Sequence, residues 1–416
     1  MEYGCIGEKL GHSFSKEIHN ALADYEYSLK ELKREELSEF FKNKDFKAIN
    51  VTIPYKQDVI EYLDWISDEA KSINAVNTIV NKDGKLYGFN TDFYGLKELI
   101  EREKVSLKGK KVAILGSGGT SNTAFAVANF LEAEVVLKVS RNKKDGYIIY
   151  EELYEKHNDC EIIINTTPCG MYPKTGASAI DLEMLPRVEA VFDAVYNPLK
   201  SKLILDAKAK NITAASGLYM LVSQAAYAVE KFIDIPVDET KVEEVFKNLY
   251  KNKMNIALIG MPASGKTSVG KELSEKLSKA FVDSDDEIVK TENKTISEIF
   301  EISGEAYFRN VEKNVIKDIS MLNSRVISTG GGAVLNPENI ENLKANSRVY
   351  FLDRPLDMLI TTSDRPLSSN RADLEKRYKE RYELYKASAD VVIDGGKTVE
   401  EVAKLIEEDF YEYSCN

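Results

Sequence analysis

Gly260-Met-Pro-Ala-Ser-Gly265-Lys266-Thr267 has the spacing G-x-x-x-x-G-K-[ST], directly after a short apolar run and before a helical pattern. That strand–loop–helix context is what makes such a match specific. Backbone N–H groups of the loop would cradle phosphates, Lys266 would reach the β- and γ-phosphates, and Thr267 would ligate Mg²⁺. Asn293-Lys-Thr-Ile296 starts like a guanine-reading N-K-x-D but has Ile296 where Asp is needed, which argues against a GTPase switch. Asp283 and Asp285 follow the loop's helix. Two carboxylates at spacing two on a strand end point to one side. One can hold Mg²⁺, directly or through water, while the other reaches an acceptor hydroxyl; an acidic loop without a task has the same composition. Further on come Arg309, the glycines Gly330, Gly331 and Gly332, Arg365 and Arg381. Each arginine alone reads as a solvated charge. Together they suit a small anionic substrate, because guanidinium forks match carboxylate and phosphate and glycine backbone admits a ligand closely.

A second glycine-rich turn, Gly116-x-Gly118-x-x-Ser121, also follows an apolar run and opens a helical one. It suits a pyrophosphate on a helix N-terminus; the alternative is a tight turn with no ligand. An NAD site places Asp or Glu at the end of the next strand. Here that end reads Ser140-Arg141-Asn142-Lys143-Lys144, and positive charge suits a 2′-phosphate, so NADP is the expected cofactor.

These residues need a frame. The chain has 416 residues, 43% of them hydrophobic, which implies two or three domains with sizeable cores. Apolar runs rich in β-branched residues start at Lys111, Val135, Glu161, Val191, Asn255, Arg325, Arg348 and Ala389. Alternating with helical patterns, they predict parallel α/β sheets. Residues 237–253 predict one amphipathic helix, capped by Asp238 or Thr240, with Val242, Val245, Phe246 and Leu249 as its apolar stripe. A domain boundary is expected just before Asn255, and a softer one near Leu107–Lys110. The net charge of −12 argues against non-specific binding to nucleic acid or anionic lipid. Cys5, Cys160, Cys169 and Cys415 form no C-x-x-C pair, which suits a reducing cytoplasm. No signal pattern or membrane-spanning run is seen. His12, His19 and His157 offer no third ligand nearby and read as packing or motif residues.

Residues 254–416 resemble shikimate kinase over essentially their whole length, through "GMPASGKTS", "DSDxEI", "ISEIFEISGEAYFR", "STGGGAV", "RPL" and "RYELY" in that order. The resemblance implies that Gly260, Ala263, Ser264, Gly265, Lys266, Thr267 and Ser268 bind ATP. It implies that Thr267 and Asp283 serve Mg²⁺ and that Asp285 binds the acceptor hydroxyls as candidate base. Arg309 and Arg381 would hold the shikimate carboxylate, Gly331 and Gly332 would pack on its ring, and Arg365 would act from a lid over ATP. The lid segment "LITTSDRPLSSN" is short, with few basic residues.

Most of residues 1–250 resemble shikimate dehydrogenase, through "GHSFSKEIHN", "INVTIPYK", "INAVNTI", "GFNTDFYG", "NTTPCGM", "YNPL" and "SGLYMLVSQAA". This implies that Ser13 and Ser15 bind the substrate carboxylate and that Lys56 and Asp92 form the catalytic pair. Thr52, Asn77 and Gln224 would hydrogen-bond the ring substituents, and Tyr196 would lie near the substrate. Gly116, Gly118, Gly119, Ser140, Arg141, Lys143 and Thr166 would bind NADP. Ketone reduction needs a hydride on carbon and a proton on oxygen; a lysine aimed by a carboxylate can donate that proton. Asp92 also suits the N-cap of the helix that follows it. Lys16 and Phe93 depart from the family pattern and are expected to reshape the pocket entrance.

The two resemblances imply an α/β chain. Residues 1–104 and 217–250 would form a substrate lobe, 105–216 a Rossmann-like NADP lobe, and 254–416 a P-loop kinase domain with a parallel sheet. The implied function is bifunctional: NADPH-dependent reduction of 3-dehydroshikimate to shikimate, then ATP- and Mg²⁺-dependent phosphorylation to shikimate 3-phosphate. Other readings are a dehydrogenase half that prefers quinate or serves as an inactive sensor, a kinase half acting on another small polyol acid, or a P-loop regulatory ATPase. The expected partners are these small molecules, with no nucleic acid and no membrane; nothing indicates a homo-oligomer.

Overall fold

In the first 90 residues the chain folds a mixed sheet, because Asp83 and Gly84 both take positive φ (53° and 81°) and close a two-residue hairpin. The computed structural model describes residues 1–11, 14–359 and 371–415. Its first sheet holds β1 (Tyr3–Gly7), β2 (Tyr27–Glu31), β3 (Ala48–Val51), β4 (Trp65–Ile66), β5 (Thr78–Lys82) and β6 (Lys85–Phe89). The order is β2-β1-β3-β5-β6-β4, with β5 antiparallel to both neighbours. The sequence reading predicted parallel sheets only; the hairpin accounts for the difference.

The second sheet is parallel and holds β7 (Lys111–Leu115), β8 (Val135–Ser140), β9 (Ile148–Ile149), β10 (Ile162–Asn165), β11 (Ala190–Asp193) and β12 (Thr213–Ser216). Its order, β12-β11-β10-β7-β8-β9, is that of the dinucleotide-binding doubly wound fold, with the switch point between β7 and β10. Strands buried on both faces read as unbroken apolar runs; Ile162, Ile163 and Ile164 are an example, all fully buried. Helix Leu218–Ile233 leaves this sheet and packs Ala228 and Phe232 against Cys5, Tyr27, Ala48 and Val80 of the first. It also crosses helix Thr91–Arg102 at Gly95, where a Cβ would lie 2.6 Å from Met220 O. That close crossing brings Gln224 to the start of the Thr91 helix.

The third sheet, also parallel, holds β13 (Asn255–Ile259), β14 (Ala280–Asp283), β15 (Arg325–Ser328), β16 (Ser347–Asp353) and β17 (Val391–Asp394) in the order β14-β15-β13-β16-β17. The contacts divide the chain into two compact units. One comprises Met1–Met171, Ala177–Asn197 and Leu203–Leu249; the other comprises Tyr172–Gly176, Pro198–Lys202 and Tyr250–Asn416. Helix Glu239–Lys253 matches the expected amphipathic stretch. Asp238 caps it by accepting from Thr240 N at 2.7 Å, and Thr240 itself lies inside. Among the described residues no helix is long and apolar enough to cross a membrane.

Candidate active sites

Asp92 is the second residue of helix Thr91–Arg102; Asn90 occupies the N-cap. The expectation that Asp92 caps this helix is therefore corrected. Its carboxylate still gains from the partial positive charge of the first turn, and Lys56 Nζ donates to its Oδ2. Beside this pair lies a buried polar network. Asn77 Oδ1 accepts from Thr91 N at 2.7 Å, Asn77 Nδ2 donates to Thr91 Oγ1 at 3.1 Å, and Thr91 Oγ1 donates to Gln224 Oε1 at 3.2 Å. Gln224 Nε2 is anchored on Leu221 O at 3.0 Å. Buried polar groups that satisfy one another fix a unique geometry. Thr91 was not singled out from the sequence, although it sits inside the quoted "NTD".

Thr52 lies where Gly7 leaves no room for a Cβ, which would fall 2.6 Å from Thr52 Cγ2. Tyr196 packs its ring 5.4 Å from that of Phe14, and burial pushes its phenol pKa up. Among the described residues no hydrogen bond ties Thr52 or Tyr196 to the Asn77 network. Ser15 is half-buried at the start of helix Ser15–Leu22. Ser13 and His12 lie outside the described residues. His19 is a packing residue, its ring stacked 3.9 Å from that of Tyr27. Phe93 does not reach a pocket entrance. It is buried in the core with Leu96 and Val127, its ring 5.4 Å from that of Phe130. The expected reshaping therefore fails for Phe93, while Lys16 is exposed.

At the switch point of the second sheet, Gly116 has φ 118°, and a Cβ there would fall 2.6 Å from Thr166 Oγ1. Only glycine fits that turn. Ser121 Oγ donates to Gly116 O at 2.8 Å, so the third small position braces the loop. Gly118 and Gly119 open helix Gly119–Phe130, and Cβ atoms there would meet nothing within 4 Å, leaving the helix N-terminus open to a pyrophosphate. Ser140 Oγ, at the end of β8, donates to Asn142 O, and Arg141 and Lys143 stand exposed after it. Open N–H groups followed by exposed cations fit NADP.

In the phosphate loop, Gly260 (φ 151°) and Gly265 (φ 92°) take positive φ ahead of helix Lys266–Leu277. Lys266 Nζ donates to Gly260 O at 2.9 Å and Met261 O at 2.8 Å, which holds the ammonium inside the arc of the loop. Thr267 Oγ1 donates to Asp283 Oδ2 at 3.0 Å. A hydroxyl beside a carboxylate is a hard-oxygen set that fits Mg²⁺. Asp283 ends β14 and caps helix Ser284–Glu292, its Oδ1 accepting from Asp285 N at 3.0 Å. Asp285 thus projects from the first turn of a helix. The strand-alternation argument for the pair is corrected, although both carboxylates line the same cavity.

That cavity has a volume of about 380 Å³. Ala263, Gly265, Lys266, Thr267 and Ser268 line one side, Gly330, Gly331 and Gly332 another, and Ile296, Phe300 and Phe308 supply an apolar wall. Arg309 and Arg381 also line it. Arg381 Nη1 donates to Gly331 O at 2.9 Å. Arg309 Nη1 donates to Glu312 Oε2 at 2.8 Å and lies 2.2 Å from where a Gly332 Cβ would be. Glu312 is buried, and burial pushes its carboxyl pKa up against the opposing pull of Arg309. Glu312 and the apolar wall were not identified from the sequence; the three-residue spacing from Arg309 was the available signal for Glu312. Ser264 is buried within the loop. Arg365 lies outside the described residues.

Both parts of the chain resemble known proteins. Residues 5–79 match the model of the shikimate dehydrogenase substrate binding domain, and residues 262–410 match that of shikimate kinase. A shikimate dehydrogenase (NADP(+)) of Clostridium perfringens is 40% identical over 265 residues, covering 59% of this chain and 97% of that relative. The crystal structure of a chorismate mutase/shikimate 5-dehydrogenase fusion protein from Clostridium acetobutylicum is 36% identical with a TM-score of 0.56, covering 59% of this chain and 96% of that one. A shikimate 5-dehydrogenase from Thermus thermophilus, in complex with NADP(H) and shikimate, is 27% identical with a TM-score of 0.55, covering 60% of this chain and 99% of that one. The chain belongs to the shikimate dehydrogenase family through its N-terminal part and carries a shikimate kinase domain after it.

Proposed function

We propose that this chain reduces 3-dehydroshikimate to shikimate with NADPH and phosphorylates shikimate to shikimate 3-phosphate with ATP and Mg²⁺. The observation that carries the reading is that one polypeptide holds both a Lys56–Asp92 pair beside the Asn77–Thr91–Gln224 network and a phosphate loop opening on a cavity with two arginines. NADPH supplies the hydride when bound. Lys56 donates a proton from Nζ to the ketone oxygen as it becomes an alcohol, and Asp92 aims the ammonium. Asn77, Thr91 and Gln224 offer amide and hydroxyl groups that suit ring hydroxyls. Ser13 and Ser15 take the carboxylate.

ATP with Mg²⁺ supplies the phosphoryl group. Arg309 and Arg381 hold the acceptor's carboxylate, and the wall of Ile296, Phe300 and Phe308 excludes water from its ring face. Asp285 orients the acceptor hydroxyl and receives its proton. Lys266, with Arg365, offsets phosphoryl charge. An acidic ring carrying several hydroxyls satisfies both sites.

A single assay tests the whole reading. Full-length protein with 3-dehydroshikimate, NADPH, ATP and Mg²⁺ should yield NADP⁺ and ADP, and shikimate alone should support ADP formation without NADPH loss. ADP released with neither acid present would favour a regulatory ATPase, and absent NADPH oxidation would favour an inactive sensor.

A further inference from the structure

Helix Arg371–Ser388 brings a second arginine to the kinase cavity besides Arg381. Arg377 lines the cavity from four residues earlier, on the same face of the helix. It lies outside the motifs that marked Arg309 and Arg381 in the sequence.

The contacts of this helix fix where Arg377 stands. Tyr382 Oη donates to Asp353 Oδ2 at 2.9 Å, at the C-terminal end of β16. Asp390, just past the helix, exchanges hydrogen bonds with Val349 near the start of that strand. Asp390 N donates to Val349 O, and Val349 N donates to Asp390 Oδ2, each at 2.8 Å. The helix therefore runs antiparallel to β16, and residues before Tyr382 rise beyond the strand ends. At 1.5 Å per residue, Arg377 stands about 7.5 Å above the level of Tyr382.

The floor of the cavity consists of loops at those strand ends. The phosphate loop follows β13, and Gly330 to Gly332 follow β15. Arg381 is bound to that floor, with Nη1 on Gly331 O at 2.9 Å, and Arg309 is held by Glu312. A phosphoryl group resting on the loop N–H groups and Lys266 has those donors beneath it. Its remaining oxygens face away from the sheet, on the side where Arg377 supplies a cation.

We infer that Arg377 is a catalytic residue of the kinase half, whose guanidinium binds from above the phosphoryl group that passes to the acceptor. Charge in such a transfer is spread over three equatorial oxygens, and a planar fork can pair with two of them at once. Leu374 and Tyr385 of the same helix are buried in the core, so the cation is offered from a fixed element and little must reorganise during the reaction. The inference deepens the kinase reading above and rests on it.

The test uses the full chain and two readouts. In steady-state kinetics, Arg377→Gln should lower kcat for ADP formation about 100- to 1,000-fold, the worth of one preorganised donor, with the KM for shikimate unchanged. In titration calorimetry with Mg²⁺, the same variant should bind the β,γ-imido analogue of ATP about 10- to 100-fold more weakly, the range of a hydrogen bond to a charged group. Its affinity for ADP, which lacks the transferred group, should match the parent and reports that the domain is folded. Arg377→Lys, which keeps the charge but not the fork, carries the same comparison should the glutamine variant be unstable. Parent kcat, or equal losses for ADP and the analogue, overturns the inference. So does a loss confined to the KM for shikimate, which would put Arg377 on the acceptor's carboxylate. Parent protein that binds the analogue but does not phosphorylate shikimate would instead remove the functional reading, and the calorimetric comparison would still decide the phosphoryl contact.

Discussion

Lys56 and Asp92, 36 residues apart in the chain, meet as an ion pair with the ammonium donating to Asp92 Oδ2 and side chains only 21% and 12% exposed. Lys56 lies in the loop after β3 and Asp92 in the first turn of the helix after β6, so the pair exists only once the first sheet has formed. Substituting either by alanine should lower NADPH oxidation roughly 100- to 10,000-fold, the range of general acid–base contributions. ADP formation from shikimate by the same protein should remain at the parent level. Parent-rate reduction of 3-dehydroshikimate by Lys56→Ala would remove its assigned role.

Gly332→Ala probes the acceptor arginine without touching it. The new methyl would sit 2.2 Å from Arg309 Nη1, and that guanidinium is the end of a flexible side chain, so the fold should survive while Arg309 shifts. The KM for shikimate should rise about 10- to 100-fold, the worth of a hydrogen bond to a charged group. An unchanged KM in steady-state kinetics would show that Arg309 does not hold the acceptor.

Phe93 separates a packing role from a pocket role. Its buried ring should make Phe93→Ala cost about 3–5 kcal/mol of stability. Where the variant remains folded, its KM for 3-dehydroshikimate should match the parent. Denaturant titration and kinetics below the melting range read the two effects, and a raised KM with full stability would restore the pocket role.

His19 sets an acid limit. It is fully buried, and desolvation lowers its pKa to about 3, although Nδ1 lies 2.7 Å from Tyr25 Oη. Between its ordinary pKa near 6.5 and about 3 the unfolded chain binds a proton that the folded chain does not. Its contribution is therefore present above pH 6.5 and lost as pH falls toward 3, at about 1.4 kcal/mol per pH unit. His19→Gln should lose stability less steeply than the parent from pH 6 to 4 in denaturant titrations. Parallel curves would exclude His19 as a source of the acid sensitivity.

Several features were legible in the sequence because they are local. The two glycine-rich turns follow buried strands and open helices as read, since backbone conformation at Gly116, Gly260 and Gly265 is set within a few residues. The β-branched runs that read as strands fold as parallel strands of the second and third sheets, and in β7, β10, β11, β13, β15 and β16 burial on both faces removes any alternation. Asp283 and Asp285 show where local reading stops. Their spacing was interpreted on a strand, but a helix begins between them, because Asp283 accepts from Asp285 N and ends the strand.

What the sequence determined by itself was which segments could be strands, phosphate-binding turns and helices, since periodicity and glycine placement act over a handful of residues. Only the tertiary structure decided that Thr91 joins Asn77 to Gln224, that buried Glu312 holds Arg309, that Phe93 turns into the core, and that Arg377 shares a cavity with Arg309 and Arg381. Each of those depends on which strand ends and helix faces become neighbours. Sheet order and close helix crossings such as Gly95 on Met220 create that adjacency, and they join residues up to 147 positions apart.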